Sequence, residues 1–175
     1  MDSVSFTEAK ILTRGDAYVT PLQHYHLEEI EFHSETIKDF YNYGFDSVDE
    51  AMKEMLNHAE CYICRNSSGE IIFLSGLWHY SDCDVPQMFM LLASNIGENT
   101  FLMSRMTDKM LDFYHSSHDH LCMIVRAERH SMLQWAAFIG FSPVKMIDNE
   151  SFVYFERCFL AINGGNDKLL RPAMH

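Results

Sequence analysis

The chain has 175 residues and a mass of 20.4 kDa, enough for one domain with a substantial core and too short for two comfortable ones. Hydrophobic residues make up 47% and charged residues 22%, which is typical of a globular protein and excludes a disordered one. No apolar run approaches the roughly 20 residues that cross a bilayer. The first residues, MDSVSFTEAK, lack the apolar core of a secretion signal. We therefore expect a cytosolic protein that is not secreted and has no membrane span.

The acidic charge of the chain bears on its partners. A formal net charge of −12 at pH 7 weighs against duplex nucleic acid and anionic membranes, because both require basic patches on the protein. We expect no nucleic-acid partner. A basic protein surface is a partner that this charge favours.

The cysteines and histidines predict neither a disulfide framework nor a metal site. The five cysteines are odd in number. Cys61 and Cys64 form a CxxC inside an apolar run typical of a strand, where a separation of three residues puts the two thiols on opposite faces. No second CxxC completes a zinc site. The histidines at positions 115, 118 and 120 fall in a segment typical of a solvated polar loop.

The predicted elements of the first half are helices and strands with clear end signals. In chain order they are a leading strand near 17–20, a helical region over 23–43 in two pieces, a helix over 48–56, and strands over 60–65 and 70–77. Ser34 is the predicted N-cap of the second helical piece, which Gly44 ends. Asp46 or Ser47 begins the next helix. The sequence Asn66-Ser67-Ser68-Gly69 predicts a hairpin turn between the two strands.

The second half predicts strands that alternate with two helices. In chain order the elements are a strand over 87–93, a loop over 94–100, a helix over 101–114, a strand over 121–125, a helix up to 139, and two antiparallel strands over 144–147 and 151–160. Leu121–Val125 is a continuous apolar run, as in a strand covered on both faces. Apolar residues then recur at helical spacing, and Gly140 takes a helix end that tolerates positive φ. The order predicts one mixed α/β domain over 1–160, with a central mixed sheet flanked by helices, and a C-terminal tail over 161–175 that is either disordered or a docking segment.

This element order, over roughly residues 15–160, resembles the GNAT (Gcn5-related N-acetyltransferase) fold, and the β–α–Gly-Phe unit at Leu121–Phe141 is similar to the one that closes its acyl-CoA half. In GNAT enzymes the strand before the long helix splays from its neighbour, the cofactor lies in the gap, and N–H groups of a Gly-rich loop hold the pyrophosphate. The resemblance implies acetyl-CoA as cofactor. It implies cofactor-binding positions at Leu92, Ala93, Ser94, Ile96, Gly97, Asn99 and Thr100.

Three phrases look like a narrower group, the small GNAT-like proteins of tailed phages, some of which are internal virion (core) proteins. The phrases are YICRNSSGEIIFLSGLWH, VPQMFMLLAS and SMLQWAAFIGF. This likeness implies a bacteriophage protein in the cytoplasm of the host cell or in the virion interior. It also implies a protein partner, from the virion or the host, and allows an oligomer.

Three positions depart from the GNAT enzyme pattern. The family loop reads R/Q-x-x-G-x-G/A, whereas residues 95–100 hold one glycine, no arginine and a carboxylate at Glu98. A like-charge contact at about 4 Å costs roughly 1 kcal/mol in water, so Glu98 weakens a pyrophosphate site. The tyrosine that serves many GNAT enzymes as general acid is Ala136 here, and an asparagine often found seven residues earlier is Arg129. The sequence assigns no catalytic residue.

The acceptor side has its own candidates. Glu28, Glu29, Glu31 and Glu35 lie where a GNAT acceptor site would be and could attract an amine. The alternative is a solvated helix face.

Two functions follow from these patterns. The first is protein–protein binding, as a virion or assembly component whose acetyl-CoA site is degenerate. The alternative is an acetyl-CoA-dependent N-acetyltransferase that modifies a host protein or a small amine. An enzyme requires an open cleft between strands 87–93 and 121–125, with N–H groups of 96–100 directed into it. A binding protein allows Phe101 or Trp135 to fill that cleft.

Overall fold

A computed structural model describes residues 9–81 and 84–158 of the chain. Within these ranges eight strands form one mixed sheet in the order β1-β2-β3-β4-β5-β6-β8-β7. The strands are β1 Leu12–Arg14, β2 Ala17–Pro21, β3 Ala59–Arg65, β4 Ile71–Trp78, β5 Gln87–Leu92, β6 His120–Arg126, β7 Ser142–Ile147 and β8 Phe152–Cys158. The α-helices are α1 Ser34–Asn42, α2 Val48–His58, α3 Thr100–His115 and α4 His130–Phe138, and short 3-10 helices span His24–Glu28 and Ser94–Asn99.

The predicted α/β class and element order are confirmed, with differences at the ends of elements. The leading strand is a hairpin, β1–β2. The predicted N-cap at Ser34 is wrong: the cap is His33, whose Nδ1 accepts a hydrogen bond from the Glu35 N–H at 3.2 Å. A neutral imidazole nitrogen accepts such a bond as a hydroxyl does, so Ser34 is already the first helical residue. Ser47 caps α2 as predicted, since its Oγ accepts from the Glu50 N–H.

Two further predictions concern the first helical region and the loop before α3. The first helical piece is a single 3-10 turn, His24–Glu28. The predicted loop over 94–100 is a 3-10 helix that leads directly into α3. The predicted domain boundary at 160 and the tail over 161–175 lie outside the described residues. No helix of the described residues combines the length and the apolar character needed to cross a bilayer.

The sheet separates two hydrophobic cores. One core lies against α3 and α4, and the other lies against α1 and α2; we call these sides the α3/α4 face and the α1/α2 face. Cys64 belongs to the core of the α3/α4 face and Cys61 to that of the α1/α2 face, so the predicted opposite orientation of the two thiols is confirmed. Burial raises the pKa of both thiols to about 12.

Strand β5 is paired along its length on one side only. With β4 it forms an antiparallel ladder of six residue pairs, from Phe73↔Leu92 to Trp78↔Gln87. With β6 it forms a single parallel pair, Gln87↔Cys122. Strand β6 instead pairs with β8 over seven positions. The two central strands therefore diverge from Gln87 onward and leave a gap in the sheet.

The start of α1 closes the wide end of this gap. The Leu92 N–H donates to Thr36 Oγ1 at 3.1 Å, and the Leu92 carbonyl accepts from the His33 N–H at 2.9 Å. The Ser94 N–H donates to the Glu31 carbonyl at 2.7 Å. Backbone groups at the end of β5 thus bond to α1 and the residues before it, in the place that β6 would occupy in a continuous sheet.

Candidate functional site

A cavity of about 440 Å³ lies where β5 and β6 diverge. Its walls come from both faces of the sheet: Trp135 and Met132 of α4 contribute on the α3/α4 face, and Phe40 and Phe45 on the α1/α2 face. The cavity therefore passes through the sheet. We call it the cleft. Its volume falls within the range of small-molecule sites, about 300–1,000 Å³.

The cleft is open, which is the first requirement of the enzyme hypothesis. The second requirement, N–H groups of residues 96–100 directed into the cleft, is not met, because none of these residues lines it. Trp135 lies in its wall without filling it. Phe101 does not line the cleft. It lies at the start of α3 and is 72% exposed to solvent. On the α3/α4 face the wall is rich in methionine, whose flexible side chain adapts to a bound ligand: Met88, Met90, Met123 and Met132.

A cluster of charged side chains spans the cleft on the α1/α2 face. Arg129, the residue just before α4, donates from Nη1 to Asp39 Oδ2 of α1. Arg126 at the end of β6 lies 3.6 Å from Asp39 Oδ1, measured from Nη1, and pairs through Nη2 with Glu128. The side chains of Asp39, Arg126 and Arg129 are 24%, 18% and 15% exposed, so water screens these ion pairs only in part.

Tyr43 lies one helical turn after Asp39 and is the second polar group of this wall. Its ring stacks on Phe152, with the ring centroids 5.7 Å apart. Desolvation, with a smaller contribution from the charge of Asp39, raises the pKa of Tyr43 to about 12. Tyr43 is 48% exposed, and its phenol keeps its proton at neutral pH and can donate a hydrogen bond.

Two buried polar atoms of the cleft residues have no hydrogen-bond partner among the described residues. They are Asp39 Oδ1, an acceptor, and Trp135 Nε1, a donor. The separation of 3.6 Å between Asp39 Oδ1 and the nearest guanidinium nitrogen is an ion pair but too long for a hydrogen bond. A buried polar atom without a partner costs about 1–3 kcal/mol. The cleft thus suits a ligand that brings one hydrogen-bond donor and one acceptor.

The backbone of β5 offers further polar groups. Leu92 directs its N–H and its carbonyl away from β4, toward α1. Alternate residues of an antiparallel ladder direct these groups to the same side. The N–H and the carbonyl of Met90 therefore face the cleft.

The seven residues predicted to bind the cofactor lie at the wide end of the gap, and none of them lines the cleft. Four have N–H groups that donate within the protein: Leu92 to Thr36 Oγ1, Ala93 to Ile72, Ser94 to Glu31 and Ile96 to Ala93. Asn99 Nδ2 donates to the Asn95 carbonyl, and Thr100 Oγ1 to those of Ile96 and Gly97. Their cofactor role stays a prediction. The N-terminus of α3 at Thr100, with no acid in its first turn, is a place where helix N–H groups can meet a phosphate.

The glutamates predicted on the acceptor side are not in the cleft. Glu29 pairs with Arg65 at 2.7 Å, and Glu31 accepts a hydrogen bond from Ser94 Oγ at 3.3 Å. Both line a separate cavity of about 300 Å³. The carboxylate at the centre of the cleft is Asp39, which sequence reasoning missed. Its one local signal is the spacing of four residues to Tyr43, which places both on one side of a helix.

Two other positions that the sequence analysis considered, Ala136 and His115, are buried. Ala136 is fully buried in the core of the α3/α4 face and does not line the cleft, so this position holds no proton donor. His115 belongs to the last turn of α3 and is 5% exposed, which corrects the prediction of a solvated loop there. Burial lowers the pKa of His115. In the described part of the chain no three His, Cys, Asp or Glu side chains come together as a metal site.

Comparisons with known proteins were made by sequence and by structure. No protein-family model and no curated protein matches the sequence. By structure, the chain is similar to spermidine N-acetyltransferase from Vibrio cholerae in complex with CoA and spermine, with a TM-score of 0.66 at 10% identity over 83% of this chain and 96% of that one. A dodecameric structure of spermidine N-acetyltransferase from Vibrio cholerae gives 0.59 at 12% over 83% and 95%. An acetyltransferase from Agrobacterium tumefaciens gives 0.61 at 12% over 90% and 98%. These likenesses show the GNAT fold, as the element order predicted.

Proposed function

We propose that the protein is an acetyl-CoA-dependent N-acetyltransferase. The observation that carries the proposal is the open cleft between β5 and β6 in a GNAT fold. Structural neighbours of the same fold are acetyltransferases, and one of them is a spermidine N-acetyltransferase in complex with CoA and spermine. The alternative in which side chains fill the gap lacks support, because Phe101 lies outside the cleft and Trp135 forms only its wall.

The residues of the cleft fit this cofactor. The methionine-rich wall of the α3/α4 face suits the apolar parts of a pantetheine arm. The Trp135 Nε1 donor and the Met90 N–H are available to carbonyl oxygens. Acetyl-CoA supplies a thioester whose acetyl group an amine can take. The wall of Trp135 and Met132 holds that group away from bulk water.

The opposite wall provides the groups that handle the amine and the proton. Asp39 Oδ1 accepts an N–H from the acceptor and orients it, which supplies much of the rate through proximity. Tyr43, whose phenol stays protonated at neutral pH, would be the group of this wall that donates a hydrogen bond to the thiolate leaving acetyl-CoA. This assigns to Tyr43 the role that a tyrosine at position 136 has in many GNAT enzymes.

Calorimetric titration of the whole chain with acetyl-CoA and with CoA tests the proposal. Both tryptophans, Trp78 and Trp135, line the cleft, so intrinsic fluorescence gives a second readout of occupancy. We expect micromolar binding. Met132→Trp places a larger side chain in the cleft and should weaken acetyl-CoA binding at least tenfold. Met146→Trp, on the exposed edge strand, should leave this binding unchanged. No heat and no fluorescence change at millimolar cofactor overturns the proposal.

A second candidate is a protein-binding role in a virion or assembly of a tailed phage, in the host cytoplasm or the virion interior. Strand β7 lies at the edge of the sheet, and five of its six residues are exposed. Val144 and Met146 are 53% and 46% exposed there. An exposed edge strand offers unpaired backbone groups to another chain. A second copy of this chain is one such partner, and a neighbour of the same fold is dodecameric.

This candidate has its own test. Val144→Lys places a charge on the edge strand and should abolish oligomer formation in sedimentation experiments, or incorporation into particles, while acetyl-CoA binding stays unchanged. Deletion of residues 163–175 tests the tail as a docking segment in the same assays. Normal assembly of both variants argues against the binding role.

A further inference from the structure

On the α1/α2 face the cleft continues as an aromatic chamber. Its lining residues are Phe40, Phe45, Met55, Trp78 and Phe89, all of which also contact the core of that face. The rings of Phe40 and Phe45 meet edge to face, with centroids 6.5 Å apart. Such a chamber takes an apolar body of ligand size and offers ring faces for stacking.

Asp39 and Tyr43 are two of the polar groups that line the cleft, together with Tyr80 and Gln87. Asp39 and Tyr43 belong to consecutive turns at the end of α1, and Asp39 Oδ1 is buried without a hydrogen-bond partner. The formal charges that line the cleft cancel: Arg126 and Arg129 are opposed by Asp39 and Asp148. The cleft therefore has no excess of negative charge that would draw in a polycation. It has one buried oxygen that an N–H donor would satisfy.

We infer that the acceptor is a small primary amine with a single amino group and an aromatic or similarly apolar body; this inference rests on the proposed acetyltransferase function. The amino group bonds to Asp39 Oδ1, and the apolar body enters the chamber between Phe45 and Trp78. A second ammonium group, as in a polyamine, would be buried in the apolar part of the chamber without a partner. Such burial of a charge is strongly unfavourable.

Binding of three probes to the whole chain tests the inference: 2-phenylethylamine, spermidine and a short lysine-containing peptide. Each is titrated by tryptophan fluorescence, with and without saturating CoA. We expect 2-phenylethylamine to bind at least tenfold more tightly than spermidine or the peptide. Transfer of acetyl from acetyl-CoA, followed through the released thiol, should rank the probes in the same order.

Matched variants locate the binding. Phe45→Ala should weaken the binding of 2-phenylethylamine at least tenfold and leave acetyl-CoA binding unchanged, whereas Phe138→Ala, at an exposed ring outside the cleft, should change neither. Asp39→Asn should weaken the binding of the amine at least tenfold relative to Asp46→Asn, which changes an exposed side chain and serves as the control. If Phe45→Ala fails to fold, Phe45→Leu keeps the core filled and should still weaken the binding of the aromatic amine.

The outcomes separate the inference from the proposed function. Acetyl-CoA binding with a preference for spermidine or the peptide overturns the inference and leaves the transferase proposal in place. Equal effects of the variants at positions 45 and 138 also overturn it. Absence of acetyl-CoA binding overturns the transferase proposal, and the acceptor inference with it.

Discussion

The two sides of strand β5 differ in almost every respect. Toward β4 the strand is bonded at six positions, and toward β6 at one. On the β4 side packing is tight around Gly76, which has no side chain: a Cβ there would lie 2.5 Å from the Phe89 ring of β5 and 2.4 Å from the Glu60 carbonyl oxygen of β3. On the β6 side contact ends soon after the Cys122 N–H donates to the Pro86 carbonyl at 3.0 Å.

Polar atoms follow the same division. On the closed side, Ser75 Oγ donates to the Phe89 carbonyl at 3.1 Å and lies 3.1 Å from the Tyr114 hydroxyl. On the open side, Asp39 Oδ1 and Trp135 Nε1 are buried without partners. The closed side is therefore built for stability, and the open side for a ligand. Substitutions on the two sides should separate stability from activity.

The largest effect is expected on the open side. Tyr43→Phe removes the proton donor but keeps the ring on Phe152, so we expect kcat for acetyl transfer to fall about 100-fold, the lower end for loss of a general acid. Acetyl-CoA affinity and thermal stability should stay unchanged. Tyr41→Phe, on the same helix and 55% exposed, is the control. A full rate for Tyr43→Phe would remove Tyr43 from the mechanism.

On the closed side, Gly76→Ala should lower the free energy of unfolding by about 2 kcal/mol, because the new methyl group collides with the Phe89 ring of β5 and with the Glu60 carbonyl of β3, which cannot move without its strand. Gly97→Ala is the matched control. A Cβ at Gly97 meets nothing within 4 Å, so its stability should change by less than about 0.5 kcal/mol. Urea denaturation measures both. Equal losses would show that the Phe89 ring and the Glu60 carbonyl do not lie so close to Gly76.

Alkaline pH should next destabilise β3, the strand that pairs with β4 on the side away from β5. The pKa of Cys61 and Cys64 is raised to about 12 in the folded protein, so the folded state holds these protons more tightly than the unfolded state does. The stability that the two protonated thiols contribute is fully present below the ordinary thiol pKa near 9 and is lost as pH rises toward 12. Each thiol should cost about 1.4 kcal/mol for each pH unit within this window. Urea denaturation of the Cys64→Ala variant should lose less stability between pH 9 and 11 than the wild type. The same loss in both would contradict a protonated Cys64.

The smallest expected effect lies where the two sides meet. Thr36→Val removes the hydroxyl that accepts from the Leu92 N–H, and should cost about 1 kcal/mol of unfolding free energy. Ser34→Ala, an exposed position two residues earlier, should cost less than about 0.5 kcal/mol. No loss in the Thr36 variant would mean that α1 does not replace β6 as a partner of β5.

The sequence predicted those parts of the fold that depend on neighbouring residues. The apolar run of β6 predicted a strand covered on both faces, and Gly140 ends α4 with φ of 91°. The hairpin between β3 and β4 turns at Asn66, whose Oδ1 accepts from the N–H groups of Ser68 and Glu70. The prediction of the N-cap of α1 was wrong because a less common capping group, the imidazole of His33, accepts the hydrogen bond there.

The candidate site was predicted less well. The resemblance placed the gap between β5 and β6 correctly. The glutamates that it suggested for an acceptor site do not line the cleft, and their acceptor role stays a prediction. Asp39, which lines the cleft, meets an arginine 90 residues away in the chain. No periodicity or motif links two such positions. The predicted phosphate-binding residues use several of their N–H groups within the protein, which is a property of the tertiary structure alone.

The sequence by itself determined which segments are buried, where the chain turns and in what order the segments follow. The reason is that burial depends on the periodicity of apolar side chains, and turns depend on residues that tolerate unusual φ. Only the tertiary structure decided where the sheet opens and which groups face the opening. The reason is that a strand's second backbone partner is chosen by competition among distant segments: at Leu92 the start of α1 takes that place, and β6 pairs with β8 instead.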